Sequence, residues 1–154
     1  MTAYIHPTAL VNPGFTPAPF TIVDEGVAIF EGVTMGSFVH VRAGAKLRER
    51  CVIGDHVTIC ENVDLGEGCV VQDFALVGRF PDFVEEGEQP VQGTTIGAGS
   101  VIGSHTVVRA GAMLGKECVV GDHAVVSGGC VLPDESEVAM GVILLGDDEE
   151  PATM

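Results

Sequence analysis

Few side chains in this chain of 154 residues can do chemistry: five histidines, five cysteines and seven lysines and arginines. Two histidines, His105 and His123, stand eighteen residues apart. Imidazole titrates near neutral pH, so such a pair can share a water, a hydroxyl or a metal ion, and either member can serve as a general base. His123 closes the tripeptide Gly121-Asp122-His123, which repeats Gly54-Asp55-His56 and reads equally as a favoured turn. Arg42, Lys46, Arg48 and Arg50 cluster within nine residues, and Arg109 and Lys116 follow later. The cysteines are an odd set without close pairs, and no His-x4-His spacing occurs. Neither a disulfide framework nor a metal centre is expected.

A repeat of six must position these groups. An apolar residue recurs at every sixth place from Val23 through Ile29, Met35, Val41 and Leu47 to Val71, and again from Ile96 to Val138. Calling that place position one, position five holds a small or β-branched residue: Val27, Ala45, Cys51, Cys69, Ser100, Cys118. Positions five and one are two apart, the strand period, so each hexad is a short strand followed by a turn. Position six between them points outward, and His40 occupies one such place. Glycine is frequent at position two, as in Gly36, Gly54, Gly103 and Gly121, where a turn with positive φ is expected. Three hexads close a triangular coil of eighteen residues, and coils stack at roughly 4.8 Å. The predicted fold is all-β, a parallel β-helix in a single domain over 1–154. Coils cover about 5–76 and 96–142, a loop is thrown out over 77–95, and an acidic tail follows from 146. On this register His105 lies against His123, Cys51 against Cys69 as reduced thiols, and Lys46 against Asp64 as an exposed ion pair.

Composition agrees. Aromatic residues make up 5% and hydrophobic residues 46%, which suits a narrow core of Val, Ile, Leu and small residues in layers. Lys plus Arg number 7 against 22 Asp plus Glu, a formal charge of -15. That balance excludes sequence-independent nucleic-acid binding and attraction to anionic membranes. No run of about 18 apolar residues offers a membrane span, so a cytoplasmic protein is expected. The outward residues Val101, Val107, Met113, Val119, Val125 and Val131 are all apolar and need a cover. Self-association with cyclic symmetry supplies one, and a fold-back of 138–145 is the alternative.

The hexads resemble the hexapeptide-repeat family over nearly the whole chain. That resemblance implies a left-handed β-helix, a homotrimer and an acyltransferase with a histidine as general base at the groove between subunits. His105 and His123 are the candidate catalytic residues. The stretch Ser37-Phe38-Val39-His40-Val41-Arg42 is similar to early coils of nucleotide-sugar N-acyltransferases, which marks His40 as a substrate contact. The junction from Gln72-Asp73-Phe74-Ala75 through Gly78-Arg79-Phe80-Pro81-Asp82 to Thr95-Ile96-Gly97 resembles the loop of the UDP-N-acetylglucosamine O-acyltransferases. It implies that Asp73, Arg79 and Asp82 touch a small-molecule acceptor. The implied donor is an acyl-CoA or acyl carrier protein, used as a substrate and not as a bound cofactor. Its phosphates call for cations, for which Arg109 and Lys116 are the candidates. A non-catalytic scaffold and a gamma-carbonic-anhydrase-like metalloenzyme stay open as other classes.

Overall fold

The computed structural model describes residues 2–80 and 93–146, which form a left-handed parallel β-helix without an α-helix. Its three sides are sheets of eight, seven and six strands. The first runs from Tyr4–Ile5 through His40–Val41, Thr58–Ile59, Leu76–Arg79 and Val107–Arg109 to Ile143–Leu144. The second includes Lys46–Leu47, Asp64–Leu65 and Met113–Leu114, and the third includes Val52–Ile53, Val70–Val71, Val101–Ile102 and Val119–Val120. Every strand pairs in parallel with the strand one coil away, as Ile22 does with His40 and Val52 with Val70. The eighteen-residue register predicted from the hexads is the observed one.

Positions one and five fill the interior. Val23, Val41, Leu47, Ile59, Leu65 and Ile102 are wholly buried, as are Ala45, Cys51, Cys69 and Ala112. Each large aliphatic residue in such a layer contributes about 1.5–3 kcal/mol. The cysteines are free thiols. Cys51 Sγ donates to the Gly66 carbonyl at 3.2 Å, and Cys69 Sγ to that of Gly97 at 3.1 Å.

Three expectations need correction. First, the excursion from the coil is shorter than 77–95. Val77 is wholly buried at position one and pairs with Ile59 and Val108, and the strand continues to Arg79. Thr95 already pairs with Asp64. Second, positive φ belongs to position four and not to position two. Phe38, Arg50, His56, Asn62, Phe74, His105, Glu117 and His123 all have φ of 55–64°. The position-two glycines serve close approach. A Cβ added at Gly103 would stand 2.6 Å from Asp122 Oδ1 and 2.7 Å from the Asp122 amide. Third, Lys46 and Asp64 are register partners, but Asp64 takes a bidentate pair from Arg48, at 3.0 Å from Nε and 2.9 Å from Nη2. The guanidinium fork matches a carboxylate better than an ammonium does. As the three-sided coil requires, the apolar outward residues divide among all three sides. Val101 and Val119 extend the column of Val52 and Val70 on the third side, while Val107 and Val125 lie on the first.

Candidate functional site

The corner between the third and first sides carries one column of rings. Phe20, Phe38, His56, Phe74, His105 and His123 stack in that order, with centroids 4.6–4.9 Å apart and planes within 11°. Their shared left-handed backbone is held from the preceding coil. His105 N donates to the Asp73 carbonyl at 3.1 Å, and His123 N to that of Ser104 at 2.9 Å. The carboxylates of this corner are also used. Asp73 Oδ1 accepts from Asp55 N, and Asp122 Oδ1 from Ser104 N, both at 2.8 Å. Asp73 therefore builds the turn, while lining a hollow of about 370 Å³ with Val52, Val70 and Ser104. His105 and His123 are exposed. Phe20, Phe38 and Phe74 were not singled out from the sequence, although the eighteen-residue count places them in this column.

The other candidates fall elsewhere. His40 sits half-buried on the first side, its Nε2 donating to Asp24 Oδ2 at 2.8 Å. Asp24 is a partner that spacing did not reveal, because it lies at the end of a neighbouring strand. Arg79 and Arg109 occupy the corner between the first and second sides, where they are register partners. Lys116 is exposed at the corner between the second and third sides. Asp82 lies outside the described residues. The candidates thus occupy all three edges, and one chain does not gather them into a single pocket.

One coil does join two of them. Along its first side His105, Val107 and Arg109 face outward, while Thr106 and Val108 are buried. An imidazole at one edge and a guanidinium at the other are separated by four residues, roughly 13 Å at the strand rise. A groove of about 640 Å³ on the second side, lined by Leu10, Ala28, Phe30 and Glu49, touches none of the candidates.

Two of the buried thiols, Cys51 and Cys60, are poor nucleophiles. Burial pushes Cys60 up to about 11, although Arg42 and Arg79 pull in the opposite direction. The hydrogen bond to Cys69, followed by burial, raises Cys51 well above the usual thiol range. Among the described residues no three of His, Cys, Asp and Glu converge as a metal site would require. No helix among them is long and apolar enough to cross a membrane.

LpxA from Acinetobacter baumannii aligns over 94% of this chain and 65% of its own, at 17% identity and a TM-score of 0.62. The acetyltransferase domain of PglB from Neisseria gonorrhoeae aligns over 98% of this chain and 58% of its own, at 20% identity and a TM-score of 0.39. An Arabidopsis UDP-N-acetylglucosamine acyltransferase aligns over 90% and 64%, at 17% identity and a TM-score of 0.43. The chain thus spans less than two thirds of each of these structures, and at this identity the likeness to LpxA is one of fold. No curated protein matches the sequence. A family model does match, over residues 35–140, which include the stacked rings from Phe38 to His123 and both arginines of the facing edge. On that match, which takes in most of the described coils, the chain belongs to the family described as the GMPPB C-terminal domain.

Proposed function

We propose that the protein is an acyltransferase that moves an acyl group from a coenzyme A thioester to a hydroxyl or amine of a small acceptor. The observation that carries this reading is the outward row His105–Val107–Arg109 on one coil. It offers a base and a phosphate-binding cation at the two ends of a short apolar strip. His105 takes the proton from the acceptor O–H or N–H as that atom attacks the thioester carbonyl. The new C–O or C–N bond forms, the C–S bond breaks, and the departing thiolate takes the proton from the imidazolium. Val107, with Leu76 and Val125 beside it in register, gives the thioester arm an apolar bed. Stacking between Phe74 and His123 holds the His105 ring in one plane, leaving its edge to the substrate.

In this reading the working unit is a homotrimer, and a neighbouring chain closes the open groove. His40 and Asp73 are assigned to the acceptor, and His123 supports His105. Release of free thiol from acetyl-CoA, assayed with a panel of nucleotide sugars and small amines, tests it. His105→Ala is expected to lower turnover about 10²-fold or more. Thiol release that is absent with every acceptor, or unchanged in His105→Ala, would overturn the reading.

A second reading, a non-catalytic assembly module, is favoured by the third side. There Val52, Val70, Val101 and Val119 form an unbroken apolar column, two of them about 45% exposed. It predicts the same oligomer without thioester cleavage.

A further inference from the structure

The ring column at the corner between the third and first sides is one place longer than its rings. Val119 pairs with Glu137 and Val125 with Ile143, so the residue in register with His123 is Gly141. Gly141 repeats the backbone of the ring positions. Its φ is 73°, and its amide donates to the Asp122 carbonyl at 2.9 Å, as the His123 amide does to Ser104. Each coil from Phe20 to His123 carries a flat ring at this place, and the next coil carries none. No described atom lies within 4 Å of a Cβ placed at Gly141. One face of His123 is covered by His105, at 4.8 Å between centroids, and the other faces the empty place.

The surroundings of that place match a nucleoside. Met140 and Val142, the neighbours of Gly141, are 73% and 38% exposed. Thioether and branched aliphatic groups pack well around a flat ring. A hollow of about 430 Å³ runs from Met140 past Val119, Gly121 and Ala139 to Glu137. Glu137 lies four residues before Gly141, roughly 13 Å at the strand rise. Its carboxylate has no ion-pair or hydrogen-bond partner among the described residues. A carboxylate accepts hydrogen bonds from ribose hydroxyls and repels phosphate. A base stacked on His123 would set its ribose in the hollow and direct its phosphates out of it. An aromatic side chain of another protein would fill the ring place and leave the polar end unused. Gly146, the last described residue, lies across the first side from this corner, where a Cβ would stand 2.6 Å from Gly129 Cα.

We propose that the empty ring place at Gly141 is a stacking site for a nucleobase, with the ribose in the hollow that ends at Glu137. The source of the base rests on the acyltransferase reading, in which a nucleotide-sugar acceptor and a coenzyme A donor each carry one. Stacking on an aromatic ring holds any base, because every base has a π-face.

Calorimetric titration of the full chain with UDP, GDP and coenzyme A tests the proposal, with ribose 5-phosphate as the probe that lacks a base. At least one of the three nucleotides is expected to bind, and ribose 5-phosphate is not. Gly141→Phe supplies the missing ring on a backbone that Phe38 and Phe74 already adopt, and should weaken binding about tenfold or more. His123→Ala removes the platform and should cost about as much. Glu137→Gln should cost about threefold or more. Phe20→Ala removes a ring from the other end of the column and should change affinity less than about twofold. The nucleotide whose affinity falls most in Gly141→Phe names the source of the base. Melting temperatures check that each variant is folded, and Gly141→Leu fills the same place if Gly141→Phe does not fold. The proposal is overturned if none of the three nucleotides binds, or if ribose 5-phosphate binds as tightly as they do. It is overturned equally if the Gly141 and His123 variants keep wild-type affinity, or if Phe20→Ala costs as much as they do. Nucleotide binding that is lost in Gly141→Phe, without thiol release from any acyl thioester, would leave this site standing and remove the acyltransferase reading. Thiol release that persists unchanged in Gly141→Phe, with no loss of nucleotide affinity, would do the reverse.

Discussion

His105 is constrained by its neighbours more than by its own hydrogen bonds. Its ring is stacked on both faces, so only its edge can meet a substrate, and the backbone is fixed by the Asp73 carbonyl. Replacing Phe74 by Ala removes one face of the stack and leaves the imidazole chemistry untouched. Phe74→Ala is expected to lower turnover about tenfold less than His105→Ala does. Asp64 makes a prediction that concerns stability alone. The hydrogen bonds from Arg48 hold its carboxyl below its ordinary value of 3.8, despite some opposing burial. A depressed carboxyl stabilises the fold above the unfolded pKa, and that contribution fades as pH falls through the folded pKa. The Arg48–Asp64 pair should therefore act at pH 7 and weaken as pH falls below 3.8 toward the depressed carboxyl value. Both groups are more than a third exposed, so Asp64→Asn should cost only about 0.2–1 kcal/mol in urea melts at pH 7, and less in acid.

At the scale of the coil, much of the architecture was legible. Position one repeats without a miss, and the register it implies is the observed one, down to His105 against His123 and Cys51 against Cys69. The roles within the turn were not legible, because glycine has two uses that a sequence does not separate. Gly103 and Gly121 sit where the next coil approaches too closely for a Cβ, while positive φ falls two residues later and is carried by Phe, His, Arg, Asn and Glu. Gly103→Ala should thus lower stability by about 1–3 kcal/mol through overpacking against Asp122, readable as a lower Tm. The ring column was countable from the eighteen-residue period, but its members are of different types and no composition signal marks them. The register of Arg79 with Arg109 is hidden in the sequence, because the hexad pattern places Val77 in the loop. Once Val77 belongs to the core, Gly78 and Arg79 become a bulge and not a linker.

The whole molecule is a narrow prism whose edges carry chemistry and whose sides carry contact surface. Its candidate groups are distributed around the prism, and the proposed homotrimer is what would bring groups from different edges together. The third side carries the apolar column Val52, Val70, Val101 and Val119, with Glu137 as the charged residue at its end, and offers a surface on which chains of charge -15 can meet. Val101→Asp places a carboxylate at the centre of that side. Sedimentation should report about three times the 16.0 kDa chain mass for the wild type and a single chain for the variant. A wild type that sediments as a monomer would leave the groove open and remove the shared site.

The account centres on a phosphorylated thioester lying along the first side, its phosphates at Arg109 and its acyl carbon near His105. Calorimetric titration of the wild-type protein with acetyl-CoA tests this most directly. The account predicts saturable heat with one site per chain, a rise in Tm with ligand, and loss of both in Arg109→Gln. No heat and an unchanged Tm at millimolar acetyl-CoA would contradict it.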